Sequence, residues 1–225
     1  MISEIIKKTK ERLEIILSIP KTIYFNFKCF PFAVAKKLPI LVSFRIKIIE
    51  IKKGAIELIG PIEKFAITIG ICGSSPIVER KGRICLKEGR VIFEGKANFG
   101  RGISLYNSGT ITFGDNFWTN KNCTIWCNRS VVFGENVTLG WNVFLRDSDG
   151  HMIFENGVAR PTYGDIEIGD HCWICAEASI LKNGGLGNDC ILGYGSILTK
   201  KEEGNNILYI GTPAVKKKEN VTWRS

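Results

Sequence analysis

The stretch Ile168-Gly-Asp-His-Cys-Trp-Ile174-Cys-Ala-Glu-Ala-Ser-Ile180-Leu-Lys-Asn-Gly-Gly-Leu186 decides the fold. Aliphatic residues recur every six positions at Ile168, Ile174, Ile180 and Leu186, and the register continues through Leu192 and Leu198. Four places after the first five of them stands a small or slim residue: Cys172, Ala178, Gly184, Cys190 and Ser196. Gly169, Gly187 and Gly193 directly follow three of the aliphatics. A period of six with a small residue at fixed phase is a solenoid. Each short strand turns one aliphatic side chain inward, and the chain makes a tight corner where a bulky side chain would clash.

Upstream, the same logic runs at a longer period. Val91-Ile92-Phe93, Ile111-Thr112-Phe113 and Val131-Val132-Phe133 are spaced by twenty, as are Leu105, Ile125 and Leu145. Three hexads make eighteen residues, so these coils carry three sides and a two-residue bulge at one corner; stacked coils rise by roughly 4.8 Å, the spacing of paired strands. Residues 56 to 92 alternate (Ile56, Leu58, Ile67, Ile69) without a clean period and read as irregular first coils. Between Leu145 and Ile168 the repeat is interrupted by residues 146–165, which hold Gly150, Gly157, Pro161 and Gly164 and must leave the stack as a loop. Long loops on a rigid scaffold concentrate function, and this one holds one of only two histidines, His151.

At the N-terminus Ile2, Ile5, Ile6, Leu13, Ile16 and Leu17 fall on one helical face, with Lys7, Lys8, Lys10 and Arg12 elsewhere, and Pro20 is expected to stop the helix. The expected organisation is a helix and capping segment over 1–55, a β-helix over 56–212 and a basic tail over 213–225.

The 225 residues suffice for one large domain, with hydrophobic residues at 44% and charged residues at 24%, and no run approaches the length of a membrane span. The apolar run Leu13 to Ile19 is short, broken by Glu14 and followed by no small-residue cleavage site, so a cytoplasmic protein is expected. Its eight cysteines are accordingly expected as free thiols. The net charge of +9 sits at the ends: residues 1–60 hold 12 Lys+Arg against 5 Asp+Glu, residues 200–225 hold 6 against 3, and the middle holds 13 against 14. A nucleic-acid reader wants a basic face along its body, so this pattern excludes that class and suits terminal patches for a phosphorylated cofactor or an anionic lipid surface.

The run Ile168-Gly-Asp-His-Cys-Trp-Ile, then Ile180-Leu-Lys, Gly193-Tyr-Gly-Ser-Ile-Leu-Thr-Lys200 and Gly211-Thr-Pro-Ala214 resembles the closing coils of the hexapeptide-repeat acyltransferases. Asp147-Ser-Asp-Gly-His151 resembles their catalytic-histidine loop. The resemblance covers residues 90–215 and is nearest to O-acetyltransferases of capsular and other surface polysaccharides, with galactoside and maltose acetyltransferases as cousins. It implies an all-β, left-handed parallel β-helix with an N-terminal amphipathic helix and a protruding catalytic loop, assembled as a homotrimer. The implied activity is acetyl transfer from acetyl-CoA to a sugar or glycan hydroxyl in surface polysaccharide biosynthesis, by direct transfer.

A neutral sugar hydroxyl must lose its proton as it attacks, and an imidazole titrating near neutrality suits that task. The resemblance assigns this to His151, oriented by Asp149 or by Asp147. It also places Trp173 near the thioester and Ala176 and Tyr194 along the pantetheine arm, followed by Thr199 and Lys200. Tyr194 stands where the family normally has Ala, which bears on the width of the channel. Lys216, Lys217 and above all Lys218 would meet the cofactor phosphates. Asn120 and Asn128 match acceptor contacts, the latter where cousins carry an acidic residue.

His171, Cys172 and Cys175 have a metal-like spacing, yet both cysteines fall on repeat positions that demand small side chains, so no metal is expected. A γ-class carbonic anhydrase is excluded, because it needs three histidines and the chain has two. Two other readings stay open: N-acylation of an amino-sugar nucleotide, disfavoured because residues 1–60 lack a Gly-rich turn after a strand, and a non-catalytic scaffold. The N-terminal helix is read as a cap on the open end of the β-helix in preference to a peripheral membrane contact.

Overall fold

The computed structural model describes residues 2–72 and 77–224, without the side chains of residues 2–8, 10 and 11. Short parallel strands stack into three sheets. Sheet A has nine strands, from Ile40–Val42 to Ala214–Lys218; sheet B has seven, from Lys47–Ile51 to Ile197–Leu198; sheet C has six, from Ile56–Leu58 to Gly185–Leu186. The chain visits them in the order A, B, C, once per coil, giving the expected left-handed parallel β-helix with an N-terminal helix and a protruding loop.

Pairing confirms both periods. Leu105 lies against Ile125 and Ile125 against Leu145, twenty apart. Ile174 lies against Leu192 and Ile180 against Leu198, eighteen apart. The registers Phe113 to Phe133 to Ile168 to Leu186 and Thr119 to Leu139 to Ile174 locate the two extra residues of each longer coil between sheets B and C. There sheet C turns two residues inward per coil, Val91 with Phe93, Ile111 with Phe113 and Val131 with Phe133. The wider interior is filled by stacked rings: Phe93 on Phe113 at 5.2 Å and Phe113 on Phe133 at 5.5 Å, with Phe99 and Phe117 against their edges. In the closing coil Gly184 stands at the first inward position, and the section narrows.

Coil structure extends beyond the expected 56–212. It begins at Ile40, because Ile40 pairs with Ile67, Ile67 with Ala97 and Lys47 with Arg83. These unequal offsets leave no period to read. At the other end Ala214–Lys218 folds back antiparallel on Leu208–Gly211, so the first part of the basic tail, with Lys216, Lys217 and Lys218, is a strand of sheet A.

Pro20 does not stop the helix. Helix α1 runs Ile2–Cys29 with Pro20 inside, and a short α2 follows at Phe32–Ala35. Pro20 lies on the exposed side, and the turns after it are pinned to the free edge of Ile40–Val42. Thr22 Oγ1 accepts the Val42 N–H at 3.0 Å, and Asn26 pairs both amide atoms with the Ile40 backbone, at 2.6 and 3.2 Å. Ser18 Oγ accepts the Phe44 N–H at 3.0 Å. Beside the core residues Phe25 and Cys29, the buried face of α1 carries a polar stripe, Glu14, Ser18, Thr22 and Asn26, that satisfies the open sheet edge. Glu14 is neutralised by Arg101 and Arg45. The side chains of Ile2, Ile5, Ile6, Lys7, Lys8 and Lys10 lie outside the described residues.

Candidate active site

The loop 147–165 leaves at the corner between sheets B and C, where the longer coils already carry their bulge. That bulge exposes backbone N–H groups with no ladder partner, and Asp147 turns back to satisfy them. Its fully buried carboxylate accepts the N–H groups of Asn128, Arg129 and Ser130 at 2.7–3.1 Å. Asp147 therefore roots the loop and has no capacity left to orient an imidazole. Asn128 is also engaged at the root: its Nδ2 donates to Ser108 Oγ at 3.1 Å and its Oδ1 accepts from Ser148 Oγ at 3.0 Å.

Above the root the two arms pair. The Asp149 N–H donates to the Thr162 carbonyl, the Gly164 N–H to that of Asp147, and Ser148 bridges Tyr163. Lys182, from the next coil, clamps both arms, donating to the Asp149 carboxylate and to the Pro161 carbonyl. Gly150 (φ +78°) then makes a left-handed turn against the Arg146 guanidinium, where an added Cβ would lie 2.5 Å from Nη2. His151 follows, exposed, and its ring makes no hydrogen bond among the described residues. The loop ends in a hairpin, Phe154–Glu155 with Val158–Ala159, turned at Asn156-Gly157, both with positive φ. Met152, Phe154 and Val158 are more than 60% exposed there.

The other predicted residues gather elsewhere. Trp173 stands on the outer face of sheet A, and Ala176 and Tyr194 occupy the corner between sheets A and B on successive coils, the Gly195 N–H donating to the Ala176 carbonyl. Asn120 shares that corner two coils earlier, beside Leu139. Stacking here is strict, since a Cβ on Gly140 would lie 2.4 Å from the Ala176 nitrogen. Thr199 and Lys200 fall at the B–C corner, Lys200 paired with Glu202. Within one chain, His151 and the Trp173–Ala176–Tyr194 wall are therefore separated by a side of sheet B, roughly 15 Å at ~3.3 Å per residue.

Sequence reasoning missed two residues. Lys182 lay inside a quoted motif, but its reach to the loop depends on coil stacking. Trp223 returns from the tail onto sheet A, stacks on His171 (4.6 Å, 8°) and approaches Trp173 at 6.0 Å; its Nε1–H donates to the His171 carbonyl. With Asn116, Trp118, Asn120, Asn136 and Thr138, the His171 and Trp223 rings line a groove of about 500 Å³. His171 itself is a corner residue: with φ +51° it continues the left-handed column of Asn116, Asn136 and Asp189, and its Nδ1 meets Asp189 at 2.8 Å.

Burial pushes the Cys123 thiol up to about 12, and burial followed by the Asp147 charge raises that of Cys127. Neither is a ready nucleophile. No cluster of three or more His, Cys, Asp or Glu forms a metal site among the described residues.

Sequence comparison links this geometry to known proteins. Galactoside O-acetyltransferase of Escherichia coli is 32% identical over 106 residues, 46% of this chain and 51% of that one. A Schizosaccharomyces pombe protein with a provisional acetyltransferase name is 32% identical over 113 residues, 49% and 54% of the two chains. Over about half of its length the chain is similar in sequence to these acetyltransferases. It spans about half the length of the curated relatives it matches. A hexapeptide-repeat acetyltransferase of Vibrio cholerae, solved with acetyl coenzyme A, shares the fold at a TM-score of 0.50 and 17% identity, over 57% of this chain and 70% of that one. No family model matches.

The residues present suit acetyl-CoA. Trp173 and the small Ala176 edge an open corner, and Lys217 and Lys218 on the last strand of sheet A form no ion pair among the described residues, whereas Lys216 is held by Glu219. Two unpaired ammonium groups on one strand are a donor set for a phosphate.

Proposed function

We propose that this protein is an acetyl-CoA-dependent O-acetyltransferase that modifies a sugar hydroxyl in cytoplasmic assembly of a surface polysaccharide, acting as a homotrimer. The observation that carries this reading is the separation of an exposed histidine, on a rooted and clamped loop, from the aromatic corner that suits the thioester. A neighbouring chain that presents its A–B corner to the loop would complete the site. The exposed apolar tip Met152, Phe154 and Val158, and Trp141 at the A–B corner, are the surfaces such packing would cover.

Bound acetyl-CoA supplies an activated acetyl carbonyl. His151 accepts the proton of the acceptor hydroxyl as that oxygen bonds to the carbonyl carbon; the carbon–sulfur bond breaks, and His151 returns the proton to the departing thiolate. Asp149, held by Lys182, fixes the base of the histidine turn. Trp173, Ala176 and Tyr194 bound the pantetheine channel, and Lys217 and Lys218 hold the phosphates. Asn120, beside Trp118 in the sheet A groove, and Asn128 contact the acceptor.

The test is incubation with labelled acetyl-CoA and a panel of oligosaccharides, sugar nucleotides and lipid-linked glycans. Label in a base-labile ester supports the proposal, label in an amide turns it to N-acylation, and no transfer to any member overturns it. Sedimentation tests the shared site: a fully active monomer at assay concentration would sink it, whereas activity recovered by mixing His151→Ala chains with Ala176→Trp chains supports it.

A further inference from the structure

The outer face of α1 is the reverse of what a surface helix usually presents. Its polar stripe is spent on the sheet edge, and Leu13, Ile16, Leu17, Ile23, Tyr24 and Phe27 face outward, each 44–65% exposed. At about 100° per residue these six occupy one arc of roughly 120° that contains no charged residue. Phe32, 70% exposed, extends the arc and meets Phe27 edge-on at 6.0 Å. Nothing in the chain covers this stripe among the described residues.

The margins of the stripe are basic. Arg12 and Lys28 flank it on the helix, and exposed Lys36 and Lys37 follow at its end, Lys36 over the Phe32 ring. An apolar arc with a cationic border is the signature of a helix lying in a membrane interface. Among the described residues no helix is long and apolar enough to cross a bilayer, so this one would lie on it. A second copy is the poorer occupant, because pairing two such faces sets one basic border against another.

We propose that α1 docks the protein on an anionic lipid surface, the Leu13–Phe27 stripe entering the acyl boundary while Arg12, Lys28, Lys36 and Lys37 meet the lipid phosphates. Because the helix covers the lower edge of the first coil, its outward face looks down the stack axis. The membrane plane then lies across the foot of the β-helix, and the His151 loop stands four coils above the first, roughly 20 Å at ~4.8 Å per step. This inference is independent of acetyl transfer.

Vesicle co-sedimentation of the full chain tests it. The chain is expected to sediment with vesicles containing phosphatidylglycerol and to remain soluble with phosphatidylcholine alone, high salt weakening the association. Lys36→Glu with Lys37→Glu should weaken it about tenfold or more, from the usual worth of juxtamembrane charges. Ile16→Asp with Leu17→Asp should abolish it at unchanged melting temperature and sedimentation coefficient. Should that variant melt early, a Tyr24→Trp chain reports instead, through blue-shifted emission on the anionic vesicles only. Failure of the wild-type chain to bind, unshifted Tyr24→Trp emission, or a folded Ile16→Asp, Leu17→Asp chain that binds as well as wild type overturns the proposal. A change of oligomeric state in that folded variant overturns it too, and assigns the stripe to contacts between copies.

Discussion

Two corners of the same β-helix follow opposite rules. Between sheets A and B the register steps by six in each of the regular coils, left-handed Asn122, Asn142 and Glu177 stack in a column, and Gly140 leaves no room for even a Cβ. Between sheets B and C the longer coils admit two extra residues, and one coil admits the whole 147–165 loop. A corner that tolerates a bulge already has a way to satisfy extra amide groups, as Asp147 does, and an insertion grows there at little cost to the stack. A corner that tolerates nothing becomes a rigid wall, which is what a channel needs.

Breaking the permissive side of this comparison should have the largest effect. His151→Ala is expected to lower turnover by about two to four powers of ten, the usual worth of a general base, with acetyl-CoA affinity nearly unchanged; steady-state kinetics at saturating acceptor and calorimetry of cofactor binding check both halves. Removing the root should cost stability as well. Asp147→Ala strands three part-buried amide donors and is expected to destabilise by about 1–3 kcal/mol in denaturant titration, since water can reach some of the groups left unpaired. A chain as stable as wild type would mean that the bulge finds other partners.

On the strict side, Gly140→Val should lower stability by about 1–3 kcal/mol through overpacking. An equally bulky residue at exposed Gly157, where nothing lies within 4 Å of the added Cβ, costs only its strained φ. The smallest effect is expected from thiol alkylation at neutral pH. With the Cys123 thiol held up at about 12 by burial, activity should survive. Rapid inactivation traced to Cys123 or Cys127 would point to an acyl-enzyme.

The regular coils were legible because an inward position on a narrow prism accepts an aliphatic or a phenyl ring and little else, so Ile168 to Leu198 announce themselves. The first coils were not, because their connections differ in length and only pairing across the stack reveals that Ile40 belongs with Ile67. The orientation of α1 was hidden for another reason. Its apolar residues mark a face but not which way it looks, and here an unpaired strand edge recruits Ser18, Thr22 and Asn26 alongside the packing of Phe25 and Cys29. In the loop, the residue types of Asp147-Ser-Asp-Gly-His151 were informative, yet the division of labour between the two aspartates was not. That depended on Lys182 arriving from the next coil.

Closure at both ends bears on how such a molecule counts its own length. A stack of identical coils has no intrinsic reason to stop, and an uncovered terminal rung is a template for another chain, as in a growing fibril. Here α1 occupies one terminal rung with side-chain hydrogen bonds, and Ala214–Lys218 occupies the other by reversing direction. The repeat itself sets no number of rungs, and what sits at the two ends of sheet A limits further stacking there.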